Sequence, residues 1–133
     1  MTINADKVRL MFSHLETGSD DKFFQNVADN VDWTVEGTHP LAGRYTSKQD
    51  FYIHTFARLN KILPGGTQLH VESVLTDGDW AAVELRSHAT ARNGMRFDNR
   101  YCCVMRFEGE TIVEVRAYLD SALVQKLIDE NNG

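Results

Sequence analysis

From Asn93 to Asp120 the chain reads NGMRFDNRYCCVMRFEGETIVEVRAYLD, and no other stretch restricts the fold as much. Two strand-like runs are joined by a tight turn at Glu108–Glu110. The stretch opens on Asn93-Gly94, a pair that takes positive φ readily and is therefore a strong hairpin signal. Along the first run the odd positions are Phe97, Asn99, Tyr101, Cys103, Met105 and Phe107; the even ones are Asp98, Arg100, Cys102, Val104, Arg106 and Glu108. Side chains alternate across a strand, so the odd face has to meet other protein or a cavity, with Asn99 and Tyr101 as its polar inserts.

The pattern extends upstream. Four runs, Thr67–Thr76, Asp79–Arg92, Met95–Glu108 and Thr111–Leu119, are separated only by Asp77-Gly78, Asn93-Gly94 and Gly109, which predicts an antiparallel meander. Helical spacing dominates before it. Val8, Met11, Phe12 and Leu15 form one apolar stripe that stops at Gly18, and Ser19 starts a short second helix carrying Phe23, Phe24, Val27 and Ala28. Val31 to Glu36 reads as a strand around Trp33, and Gly37 to Gly43 as a loop. Ser47 with Asp50 then caps a third helix whose apolar positions are Phe51, Tyr52, Phe56, Leu59 and Leu63, and Asp120 or Ser121 caps a last one. Helices first and a long meander afterwards is an α+β layout. It predicts a cone: a strongly curved mixed or antiparallel sheet, N-terminal helices packed on its concave face, and an interior suited to a small molecule.

The 133 residues carry a net charge of −5 with scattered basic groups, so a nucleic-acid partner is not expected. Nor is a membrane: no run approaches the roughly 20 apolar residues of a span, and the MTINADK start lacks the apolar core of a secretory signal. The expectation is one domain over residues 1–133 in a soluble cytoplasmic protein. Cys102 and Cys103 are adjacent, which suits neither a disulfide framework nor a metal site, and His14, His54 and His70 have no local metal-ligand partners; no metal and no cofactor is expected.

These pieces together resemble the nuclear-transport-factor-2-like superfamily, a cystatin-like roll, in its SnoaL-like and ketosteroid-isomerase-like branch. The layout matches over nearly the whole chain, and WTVEGTHPLAGRY and the Asn93–Asp120 stretch are its most telling parts. The resemblance implies a small-molecule ligand and a homodimer formed through the outer sheet face. It implies a cofactor-free isomerase, cyclase or hydratase acting by proton transfer on a small apolar ring or carbonyl compound, or else a non-catalytic ligand-binding or dimerisation module. Where the isomerases carry an oxyanion-binding aspartic acid this chain has Cys103, a poor donor, and their helix-one tyrosine falls near Met11 or Phe12. Their base position falls around Thr34 to Glu36, where Glu36 alone could serve. The acid/base carboxylate of the cyclases and epoxide hydrolases is replaced by Ala117, and Asp120 reads as a helix cap.

Chemistry would then fall to the preceding strand. Its even positions are Trp80, Ala82, Glu84, Arg86 and His88, and its odd ones Ala81, Val83, Leu85, Ser87 and Ala89. By composition the apolar odd face packs inward. Counted back through Asn93-Gly94 without a gap, the resemblance instead turns Glu84, Arg86 and His88 into the cone, with Val83 and Leu85 outside. On that second reading His88, with a pKa ordinarily near 6.5, exchanges the proton while Glu84 and Arg86 orient it or hold a ligand anion. The expected ligand contacts are Trp33, Tyr52 and Phe56 from the helical side, with Asn99, Tyr101, Cys103, Ala117 and Leu119 from the hairpin; His39, beside Pro40, reads as a rim residue.

Overall fold

The helices predicted to start at Ser19, Ser47 and Asp120 start there in space, and all but the one at Ser19 make the capping bond. In this computed structural model, which describes residues 3–131, the Asn4 side chain accepts from Lys7 N–H at 2.9 Å ahead of α1 (Ala5–Glu16), and Ser47 accepts from Asp50 N–H at 3.0 Å ahead of α3 (Lys48–His54). Asp120 accepts from Leu123 N–H at 3.2 Å and opens α5 (Ser121–Asn131). Ser19, before α2 (Asp20–Phe24), makes no such bond. Satisfying these first amides fixes where each helix enters.

The predicted third helix breaks at Thr55, where φ −123° and ψ −81° leave the helical region, so α4 (Phe56–Asn60) sets off in a new direction. The Thr55 hydroxyl donates to the Phe51 carbonyl at 2.7 Å, a local bond that competes with the helical ladder. The break turns Phe56 and Leu59 inward along with Phe51, all three buried.

The strands are β1 (Val27–Val35), β2 (Gly43–Tyr45), β3 (Leu69–Asp77), β4 (Trp80–Ser87), β5 (Arg100–Glu108) and β6 (Thr111–Leu119). They form one sheet in the order β2-β1-β6-β5-β4-β3, unclosed, with β1 and β6 parallel and every other pair antiparallel. The meander and the mixed α+β layout are as predicted. α1 packs on β3 and α3 on β1, and the helices bury Val8, Met11, Phe12, Leu15, Phe23 and Phe24 on the concave face. A second apolar cluster, around Phe97, Ile62, Leu63 and Leu127, lies under α5.

The long hairpin differs in one respect that decides the faces. A two-residue turn would set Arg92 opposite Met95. Instead Ala91 N–H donates to the Met95 carbonyl and Gly94 N–H to the Ala91 carbonyl, both at 2.8 Å, so the loop contains Arg92, Asn93 and Gly94, with Gly94 at φ 88°. The regular ladder also stops early, at Arg86 opposite Arg100. Beyond it the Ser87 hydroxyl accepts from Asn99 N–H at 2.8 Å and donates to the Phe97 carbonyl at 2.8 Å, inserting a side chain where the ladder would continue.

Candidate functional site

With a three-residue loop, β4 pairs with β5 so that Leu85 faces Tyr101, Val83 faces Cys103 and Ala81 faces Met105. Odd meets odd, and the interior face of β5 therefore takes the odd positions of β4 with it. A one-residue change in a hairpin loop exchanges the faces of a whole strand. The expectation that Glu84, Arg86 and His88 point into the cone is thus corrected: Val83 and Leu85 are 0% and 1% exposed in the interior, while the three polar residues lie on the convex face. There Glu84 accepts from the Ser73 hydroxyl at 2.6 Å, Arg86 lies 3.4 Å from Glu72, and His88 is 4.0 Å from Asp98 and 5.4 Å from the His70 ring.

The concave side holds a cavity of about 70 Å³. Helices supply Phe12, Phe23 and Phe51, the sheet supplies Trp33, Leu85 and Ala117, and α5 closes one end with Val124. Among the described residues no charged side chain lines it. Its polar points are few and neutral. Thr55 and Thr67 direct their hydroxyls to the Phe51 carbonyl at 2.7 Å and the Asn60 side chain at 2.8 Å, and so are already paired. The Tyr101 hydroxyl bonds to Ser87, and burial raises its pKa well above the ordinary tyrosine value. The Cys103 thiol is pushed up to about 12 by burial and then by neighbouring Cys102, so at neutral pH it is a small apolar group and no nucleophile. The Trp33 indole, stacked 3.9 Å from Phe51, keeps its Nε1–H buried without any hydrogen-bond partner. A buried donor left unmade costs about 1–3 kcal/mol, which makes this the group in the wall most in need of an acceptor.

Of the predicted ligand contacts, Trp33, Phe56, Tyr101, Cys103, Ala117 and Leu119 do line the cavity. Tyr52 and Asn99 do not. Tyr52 sits on the far side of α3, where its hydroxyl donates to Asp20 at 3.1 Å; a phenol takes the nearest acceptor, and Asp20 is fixed at the start of α2. Asn99 is 1% exposed, and its amide ties β5 to the start of α5: Oδ1 accepts from Arg100 N–H at 2.7 Å and Asp120 N–H at 3.1 Å, and Nδ2 donates to the Asp120 carbonyl at 3.3 Å. His39, expected at the rim, is 6% exposed and part of the wall. Its Nδ1 accepts from Leu41 N–H at 3.2 Å, which leaves the proton on Nε2 for the Glu36 carbonyl, also at 3.2 Å. Burial lowers its pKa, with the Glu36 bond pulling the other way. The Pro40 that suggested a surface loop in fact turns the ring inward with Leu41. Among the described residues no cluster of His, Cys, Asp or Glu is arranged to hold a metal, and no helix is long and apolar enough to cross a membrane.

The model of the SnoaL-like domain matches residues 8–115, from α1 into β6. The chain belongs to the SnoaL-like domain family. This SnoaL-like chain is 30% identical over 115 residues, 81% of its length, to the dimerizing cyclase phiC of a fungal species (strain ATCC 74256), and spans half the length of that relative. Among solved structures, Bal32a from a soil-derived mobile gene cassette superposes with a TM-score of 0.78 at 21% identity, covering 92% of this chain and 94% of Bal32a. An NTF2-like protein of Burkholderia thailandensis gives 0.78 at 23% identity, with 92% and 95% covered, and a cystatin-like protein of Xanthomonas campestris 0.77 at 20%, with 92% and 95%. The SnoaL-like fold read from the hairpin is therefore the fold of the family.

Proposed function

We propose that the cone binds a small, uncharged, mostly apolar molecule bearing one hydrogen-bond acceptor such as a carbonyl oxygen. The carrying observation is the wall itself: apolar, without a charged side chain, and holding in Trp33 an indole N–H with nothing to donate to. Burying a carboxylate or an ammonium in such a wall costs several kcal/mol with no partner to offset it, whereas a ketone removes the orphan donor. Calorimetry with cyclohexanone, benzoate and benzylamine tests this. The ketone is expected to bind and the ions not, and Trp33→Phe should weaken the ketone by about fivefold, the worth of one net hydrogen bond near 1 kcal/mol. Benzoate binding as tightly as the ketone would refute the reading.

A cyclase or isomerase activity on such a compound is the second reading, supported by the family and by the cyclase relative. In it Trp33 would donate to the carbonyl oxygen, and confinement in the cavity would fold the substrate. Glu84, Arg86 and His88 have no part in it, because they face the other side of the sheet. The convex face is proposed as a homodimer interface: Leu75, 70% exposed, begins a row that crosses Ala82 and Val104, and Tyr118 is 45% exposed beside it. Light scattering that gives a monomer at micromolar concentration would refute that assignment.

A further inference from the structure

The cavity is smaller than the molecules the fold would suit. At about 70 Å³ it is roughly half the ~150 Å³ of an apolar cavity that binds benzene. A ring compound requires part of the wall to withdraw. The strands are held by their ladders and the helices by their apolar faces. The segment between β1 and β2, residues 36–42, is held at two points, by Glu36 N–H donating to the Ala117 carbonyl at 2.9 Å and by Leu41 in the second apolar cluster, and it contributes His39 and Leu41 to the wall. Beyond the Glu36 bond its hydrogen bonds are few. Tyr45 O–H reaches the Leu41 carbonyl at 2.9 Å, Ala42 N–H the His39 carbonyl at 3.0 Å, and the remaining two both end on the His39 ring.

Resting on the cavity reading above, we propose that His39 is the latch of a gate: its neutral ring pins the 36–42 loop over the cavity, and protonation of the ring releases it. A protonated imidazole carries a hydrogen on Nδ1 and would aim it at the Leu41 N–H, so one bond becomes a repulsion and both Leu41 and the ring lose their seat. The ring gets no compensating carboxylate in the wall. Tyr101 and Cys103 are the other titratable groups lining the cavity, and burial keeps both uncharged. Glu36, just past the end of β1, presents its carbonyl, β2 presents Tyr45, with Arg44 engaged by Asp32 at 2.9 Å, and α5 presents Ser121, whose hydroxyl packs against Gly37. Glu36 and Asp120 carry the carboxylates that flank these contacts in the chain.

The sign follows from the direction of the shift. Burial lowers the closed-state pKa, so the closed form is favoured above the ordinary value of 6.5 and loses ground as pH falls below it. With the closed ring unprotonated and the open ring titrating at 6.5, the open fraction rises at most about thirtyfold between pH 7.5 and 5.0.

Stopped-flow binding of 2-cyclohexen-1-one tests the gate, with quenching of Trp33 as the signal in a Trp80→Phe background. The association rate should rise ten- to thirtyfold from pH 7.5 to 5.0. His39→Gln, which cannot titrate, should show one rate at both pH values. Tyr45→Phe, which frees the Leu41 carbonyl, should be faster at both and keep the pH dependence; it carries the test if His39→Gln does not fold. Saturable binding with a pH-independent rate overturns the gate and leaves the cavity reading standing. A pH response retained in His39→Gln assigns it to another histidine and also overturns the gate. Absence of saturable binding at either pH overturns both.

Discussion

The assignment of faces on β4 can be tested by truncating Leu85 and Glu84 in parallel. Leu85 is 1% exposed and lines the cavity opposite Tyr101. Cutting it to alanine removes three carbons, worth about 2.4 kcal/mol of lost transfer at ~0.8 kcal/mol each. Every 40 Å³ of vacated space that fails to collapse adds about 1 kcal/mol more. Because this side chain abuts an existing cavity, collapse is poor, and the expected cost is about 3–4 kcal/mol, or roughly 10 °C or more in Tm for a chain of this size. Glu84→Ala loses only the exposed bond from Ser73 and should stay within about 0.5 kcal/mol. Urea unfolding with a common m-value gives both numbers. The enlarged cavity adds its own signature: Leu85→Ala, but not the parent, should gain stability in saturating benzene. Were Glu84→Ala the costlier change, or were Leu85→Ala mild and indifferent to benzene, the register argued from the three-residue loop would be wrong.

Cys103, held near 12, should resist alkylation and thiol reagents at pH 8 in the native state, while half-buried Cys102 on the convex face reacts; Cys102→Ser should leave no fast thiol, as an Ellman assay before and after unfolding would show. Gly37 sits at φ 116°, and a Cβ there would collide with the Ser121 hydroxyl and stand 3.0 Å from the His39 ring. Gly37→Ala is therefore expected to cost about 2 kcal/mol in thermal unfolding, with partial recovery in Ser121→Gly. Asn99→Leu should cost about 3 kcal/mol, since it strands the Arg100 and Asp120 amides, and hydrogen exchange should report the loss first at the start of α5.

The fold was legible because alternation and capping are local and redundant: the odd positions of β5, the stripe of α1 and the caps at Ser47 and Asp120 each hold without reference to anything distant. The site was less so, for three separate reasons. Inward and outward on β4 turned on whether the loop at Asn93-Gly94 holds two residues or three, and both loops are consistent with the pair; the apolar run of Val83 and Leu85 was the better guide. Helix three was read as continuous because Thr55 fits a helix by periodicity, and the change of backbone angles at Thr55 leaves no mark in the apolar pattern. Asn99 shares the inward face with Tyr101, but whether a polar insert meets a ligand or the protein's own backbone depends on what the far chain supplies, here Asp120. His39 carried a signal that could have been weighed differently, since a histidine followed by Pro and Leu between two glycines can fold its ring back onto its own loop.

The parallel pairing of β1 with β6 has a consequence for how the chain must be assembled. β1 has two neighbours, the three-residue β2 and the last strand made, and a two-stranded ribbon alone is marginal in water. Residues 27–35 therefore wait for residues 111–119, with most of the sequence between them, before their edge is covered. The N-terminal half cannot finish folding until residues 111–119 have been made, a long-range step of the kind that slows a chain and exposes an apolar strand meanwhile. A truncation ending before Thr111 would remove far more than a hairpin arm: it would leave Trp33 and the wall around it without a sheet to belong to.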